Sequence, residues 1–240
     1  MRDNASDEMP IHASNENSVT VSLPSARLVA AFLALALSVG ACTTVAAPPP
    51  QAATPVTMVS PAEAERYAAL TNEKFHVPEV ALEDLRPRNL RQLVDYQTAH
   101  QPGTVVVDPR KRFLYLVQEN GKALRYGVGV GKEGLEFQGT ATVERKAQWP
   151  RWTPTTDMIK REPDRYAKWA GGMAGGETNP LGARALYLFK NGKDTLYRIH
   201  GTNEPSTIGE AVSSGCIRMM NQDVIDLYNR IPAGSKVVVL

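Results

Sequence analysis

The sequence predicts a mostly-β domain of about 140 residues with one or two helices, carried behind a front that is not globular. Three observations predict it. From Gly103 onward apolar residues recur with period two, Asn-Gly pairs separate successive runs, and residues 1–60 hold a polar stretch, a short apolar run and a proline-rich tract instead. The 240 residues allow one ordinary domain with a proper core, and 42% of them are hydrophobic. With 27 Lys+Arg against 25 Asp+Glu, no strongly basic face is available for nucleic acid, and no nucleic-acid partner is expected. Two cysteines are too few for a disulfide scaffold or a Cys-rich zinc site.

The elements follow in chain order. Residues 1–27 are polar and end in Arg27; 28–37 are apolar, too short to span a bilayer but of signal-peptide h-region length. Residues 39–42, Val-Gly-Ala-Cys, resemble a bacterial lipobox, which implies removal of residues 1–41 and a lipid thioether on Cys42. Thr43 follows the Cys where inner-membrane retention would use Asp, so the resemblance favours a lipid anchor in the outer membrane, facing the periplasm. Residues 43–60 carry four prolines and no charge, the composition of a stiff tether.

Ser60-Pro61-Ala62-Glu63 reads as a capping box opening a helix that runs to about Asn72. Up to His100 the chain reads as an irregular extension with short helical pieces. Strands are expected at 104–107, 112–118, 122–130, 139–146, 185–190, 195–200 and 236–240, with hairpin turns at Asn120-Gly121 and Asn191-Gly192. Phe113, Tyr115 and Val117 should face one side of their strand, Leu114 and Leu116 the other. Residues 149–180, rich in Pro, Gly, Met and Trp, form a lid-like insertion with a helix at about 156–169, and Trp149, Trp152 and Tyr166 could serve either a groove or the core. Asn221 should cap a last helix over 222–231, with Val224, Ile225, Leu227, Tyr228 and Ile231 on one face.

With Cys42 assigned to lipid, Cys216 has no partner within the chain, and a free thiol in an oxidising compartment suggests a use. It sits in Ser213-Ser214-Gly215-Cys216-Ile217-Arg218, where Gly and Ser suggest a tight turn whose N–H groups could form an oxyanion hole. Arg218 would favour the thiolate or bind a carboxylate. A thiol nucleophile also needs a base. Of four histidines, His12 leaves with the leader and His76 and His100 precede the strands; His200, ending a strand and followed by a loop to Cys216, is the one left. No third ligand has zinc spacing, so neither metal nor cofactor is expected.

His200-Gly201-Thr202, Ile208-Gly209 and then Ser213 through Met219 resemble the signature of the L,D-transpeptidase (YkuD-fold) family, over roughly residues 100–240. The resemblance implies a β-sandwich or open barrel and cysteine peptidyl transfer on peptidoglycan. Cys216 would attack the L-centre carbonyl of diaminopimelate in a tetrapeptide stem and expel D-Ala. His200 would be the base, oriented by the Gly201 carbonyl; the N–H groups of Ser214, Gly215 and Cys216 would hold the oxyanion, with Ser213, Thr202 and Arg218 contacting substrate. The acceptor would be an amine of a second stem, giving a 3–3 cross-link, or of an outer-membrane protein. Ser214 stands where many members have His, which leaves the upstream His200 as base. Two other readings stay open: an L,D-carboxypeptidase with water as acceptor, and a non-catalytic wall-binding lipoprotein. Together these readings divide the chain into a lipoprotein leader 1–41, a lipidated Cys and tether 42–60, an extension 61–100 and a catalytic domain 101–240.

Overall fold

A computed structural model describes residues 59–81, 83–131, 137–213 and 215–240. Cys42, the leader, most of the tether and Ser214 lie outside the described residues. The elements in chain order are α1 (Pro61–Glu65), β1 (Gln92–Asp95), β2 (Val105–Asp108), β3 (Phe113–Val117), β4 (Lys122–Gly127), β5 (Val130–Gly131), β6 (Gly139–Gln148), α2 (Thr156–Arg161), α3 (Pro163–Tyr166), β7 (Arg184–Lys190), β8 (Lys193–His200), β9 (Ala211–Ser213), β10 (Ile217–Arg218), α4 (Asn221–Arg230) and β11 (Lys236–Val239). The fold is mostly β, and only α4 among its described α-helices is longer than six residues.

The two Asn-Gly pairs turn as their chemistry requires. Asn120 and Gly121 have φ of 58° and 66°, Asn191 and Gly192 52° and 71°, the paired positive values of a type I′ hairpin that matches strand twist. Nine strands form one mixed sheet in the order β1-β4-β3-β2-β11-β6-β7-β8-β10. Most pairs are antiparallel; β11 with β2 and β10 with β8 are parallel. The sheet curls towards closure, because Gly129, just beyond β4, exchanges both backbone hydrogen bonds with Arg218 at the far edge, at 2.9 and 2.8 Å. That contact needs glycine: a Cβ on Gly129 would lie 2.8 Å from the Thr207 carbonyl oxygen.

The main core lies inside the curl. Leu114, Leu116, Val105 and Val107 meet Leu186, Leu188, Ile199 and Ile217 there, and Val224 and Leu227 of α4, with Ile231 just beyond it, cover it. The opposite face of β3 presents Phe113, Tyr115 and Val117 to a second cluster, so the period-two reading of this strand holds with both faces buried. Several boundaries differ from expectation. The first helix ends at Glu65, not near Asn72, because Tyr67 turns into the core and Leu70 pairs with Val77 as a backbone bridge. The helix expected over 156–169 breaks at Pro163, whose ring excludes helical backbone at Glu162 (φ −136°, ψ 68°). The insertion braces itself: buried Asn179 donates to the carbonyls of Pro150 and Ala174 at 3.1 and 2.9 Å. Trp149 is core, packed edge-on against Phe75 and donating to Glu73. Trp152 stacks edge-on with Tyr166.

Residues 61–100 supply the edge strand β1, antiparallel to β4 and absent from the sequence reading, and the cluster Tyr67, Val80, Leu85 and Leu90 against Ile208 and Met220. Two ionic anchors tie this stretch down. Glu73 holds the buried Arg184 through a pair of hydrogen bonds at 2.6 and 2.9 Å. Removing the acid leaves a desolvated guanidinium without its counter-charge, so Glu73→Ala is expected to lower the unfolding free energy by about 3 kcal/mol, read by denaturant titration.

The second anchor centres on Asp223, fully buried in α4, which accepts from the Tyr67 hydroxyl at 3.3 Å and lies 3.9 Å from Arg91. Arg91 also pairs with Asp226 at 2.7 Å. Burial pushes the Asp223 carboxyl up to about 7 and the nearby Asp226 adds to this, against the opposing pull of Arg91, Tyr67 and Arg66. A carboxyl raised on folding binds its proton more tightly in the native state, so its stabilising share is present in acid and is lost as pH rises through about 7. Asn mimics the protonated form. The thermal midpoint of Asp223→Asn relative to the unmodified protein should therefore climb between about pH 4 and pH 7 and level off above it; a flat difference would place Asp223 at an ordinary carboxylate value.

Candidate active site

Two short stretches of backbone place the candidate residues. β8 ends in Arg198-Ile199-His200, and β10 runs parallel beside it with Ile217 opposite Ile199 and Arg218 opposite His200. Met219 N–H donates to the His200 carbonyl at 2.8 Å, fixing this register. Cys216 enters β10 directly from Gly215, whose φ of +116° a Cβ would strain, so this position favours glycine. Register thus sets Cys216 beside Arg198 and next to the His200 strand end, although sixteen residues separate it from His200 along the chain.

His200 is buried, and its Nδ1 lies 2.6 Å from the carbonyl oxygen of Gly201. A carbonyl only accepts, so Nδ1 carries the hydrogen and Nε2 keeps the lone pair. Burial depresses the imidazole to about 4; the Gly201 bond opposes this, while the positive charges of Arg218 and Arg198 reinforce it. The ring is therefore neutral near pH 7.

Cys216 keeps a partly exposed surface. Burial of the sulfur pushes its thiol up, against the Arg198 backbone N–H and the charges of Arg198 and Arg218. Arg218 pulls towards the thiolate, as its charge predicts, but desolvation outweighs both guanidinium charges, so thiol and imidazole both rest neutral.

The remaining predicted residues fall into three groups. Arg218 stands at the site with its guanidinium 3.3 Å from Glu204, the surface pairing that a CxR arginine can also adopt. Thr202 is buried, with its hydroxyl accepting the Glu204 N–H at 3.0 Å, which shapes the loop after β8. Ser213 ends β9, which pairs with β5, and Ser214 lies outside the described residues. The Ser214 N–H thus falls outside the described site, leaving Gly215 and Cys216 to represent the turn. His76 and His100 both precede β2 and take no part in the β8–β10 pair.

Sequence reasoning missed Arg198. Its guanidinium lies over the Tyr187 ring at 4.4 Å, with Arg145 on the same ring at 4.4 Å, and it pairs with Asp194 at 2.6 Å. A usable signal was present, since residues two apart in a strand share a face, and Arg198 precedes His200 by two. Among the described residues no cluster of three metal-ligating side chains occurs.

A near-closed mixed sheet with one thiol and one neutral imidazole on adjacent parallel strands defines the class of domain. The family model for the YkuD L,D-transpeptidase catalytic domain matches residues 102–239, more than half of the chain, and the chain belongs to that family. It is 34% identical over 140 residues to a probable L,D-transpeptidase ErfK/SrfK of Escherichia coli, covering 58% of this chain and 44% of that protein. It is also 34% identical over 137 residues to the putative L,D-transpeptidase YqjB of Bacillus subtilis, covering 56% and 69%. The match thus spans less than half of the Escherichia coli relative. A crystal structure from Brucella melitensis, described as a probable carnitine operon oxidoreductase, is 55% identical over 65% of this chain and 96% of its own, with a TM-score of 0.46.

Proposed function

We propose that this protein is a peptidoglycan L,D-transpeptidase working through an acyl-enzyme on Cys216. The observation that carries this reading is the 2.6 Å contact of His200 Nδ1 with Gly201, on a strand paired to the one Cys216 enters. It leaves a neutral Nε2 on the side chain available as base. As the sulfur bonds to the L-centre carbonyl of diaminopimelate, His200 takes the thiol proton. The tetrahedral intermediate expels the D-Ala amine, which leaves with that proton. An acceptor amine then attacks the thioester, gives its proton to His200, and thiolate leaving with return of that proton restores the thiol. The turn at Gly215 supports an oxyanion hole from backbone N–H groups of Ser214, Gly215 and Cys216. Arg218 supplies a cation for a substrate carboxylate in exchange for Glu204.

The acceptor amine belongs to a second stem peptide or to an outer-membrane protein. Lipid on Cys42 would hold the domain in the periplasm at the end of the 43–60 tether. The decisive experiment incubates the full chain in detergent with diaminopimelate-containing disaccharide-tetrapeptide and identifies the products by mass spectrometry. A dimer of mass donor plus acceptor minus D-Ala is the expected product. Tripeptide alone would identify a carboxypeptidase. Unchanged substrate, together with a Cys216 inert to thiol reagents, would leave the wall-binding lipoprotein.

A further inference from the structure

Asn221 was expected to cap the last helix, but its side chain does not. It is the first residue of α4, the N-cap position is Met220, and no side chain caps that end. The amide of Asn221 instead reaches back to the strands. Its Oδ1 accepts the Ala183 N–H at 2.9 Å, and its Nδ2 donates to the Thr202 carbonyl at 2.9 Å. Ala183 immediately precedes β7, and Thr202 is the second residue beyond β8, so one amide staples the ends of two neighbouring strands.

Between those anchors lies Gly201. Its N–H donates to the Arg184 carbonyl at 3.1 Å, and its carbonyl receives His200 Nδ1–H. The orientation of that carbonyl is therefore set from two sides, by Arg184 ahead of it and by Asn221 through Thr202 behind it. The packing leaves no freedom: a Cβ on Gly182 or on Gly201 would lie 2.2 Å from Asn221 Oδ1. Only an amide suits both contacts, since one side of the side chain must accept and the other must donate. A carboxylate would set an oxygen against the Thr202 carbonyl.

We propose that Asn221 is a positioning residue, which fixes the Gly201 carbonyl and through it the tautomer and ring orientation of His200. The proposal rests on the reading of His200 as base, but the tautomer can be measured whether or not His200 takes part in catalysis. The full chain labelled with 15N-histidine is compared with Asn221→Asp and Asn221→Ala, following the His200 nitrogen shifts by NMR alongside the transpeptidase assay. The unmodified protein should show His200 protonated at Nδ1 alone near neutral pH. Both variants should show a mixture of tautomers and lose roughly 10- to 100-fold in kcat, with a smaller change in KM.

Asn221→Asp is nearly isosteric and serves where Asn221→Ala fails to fold. A fall in kcat with the Nδ1–H tautomer intact would overturn the proposal, as would an unmodified protein in which Nε2 carries the hydrogen. An unmodified protein without transpeptidase activity but with the expected tautomer shift in the variants would sink the catalytic reading while sustaining the positioning role.

Discussion

Cys216→Ala is expected to lower transpeptidase turnover by roughly 10⁴-fold or more while leaving the thermal midpoint within about 2 °C of the unmodified protein. The two halves of this expectation have separate physical grounds. On the proposed reading the sulfur forms the covalent intermediate, and alanine carries no nucleophile to replace it, so the reaction loses its path. Stability should scarcely move, because Cys216 keeps some exposed surface and contributes little apolar area to the core built by Ile199, Ile217 and Met219. The measurement is product formation from tetrapeptide stems beside a melting curve for each form. Intact turnover would remove Cys216 from the chemistry. Loss of turnover with a fall of ten degrees or so would make it a packing residue instead.

The second large effect concerns pH. His200 must be neutral to accept a proton, and burial holds its imidazole at about 4. Activity is thus expected to persist as pH falls from neutral to about 5 and to be lost as pH passes through about 4. An ordinary histidine would place that acid limb near pH 6.5. Towards alkaline pH, acylation should show no rise that follows thiolate formation, because burial keeps the thiol protonated through the neutral range. Replacing His200 by Asn should remove the acid limb and slow acylation by roughly 10²- to 10⁴-fold. The profile of kcat/KM against pH, for the unmodified protein and for His200→Asn, decides it. An acid limb near 6.5 would mean that the ring is solvated in the working enzyme, and a limb that survives in His200→Asn would assign the titration to another group.

Much of this arrangement was legible in the order of residues. Period-two runs punctuated by Asn-Gly fixed most strands to within a residue or two, because a hairpin turn with positive φ at both central positions leaves little register freedom. Ser60 and Glu63 form the capping box their spacing promised. A motif singled out His200 and Cys216, and the structure sets His200 Nδ1 2.6 Å from the Gly201 carbonyl.

What escaped were effects that depend on burial or on partners distant in sequence. Strand β1 has no apolar alternation of its own and exists because β4 offers it an edge. The protonation state of Cys216 could not be read from Arg218 standing two residues away, since the deciding quantity is how far the sulfur is withdrawn from water. Asn221 follows the helix-cap rule in sequence and disobeys it in space, as Ala183 and Thr202 compete successfully for its amide.

The pairing of β10 with β8 also bears on how freely this family could vary. Chain length between His200 and Cys216 does not determine their separation; a ladder of backbone hydrogen bonds does, reinforced on the outer side by Gly129. The intervening loop can therefore lengthen or shorten around exposed Asn203 and Glu204 without disturbing the pair, since each doubling of a flexible loop costs only about 0.6 kcal/mol. Variation can accumulate in that stretch while His200 and Cys216 hold their places. Adaptability and precision are lodged in separate parts of one short segment.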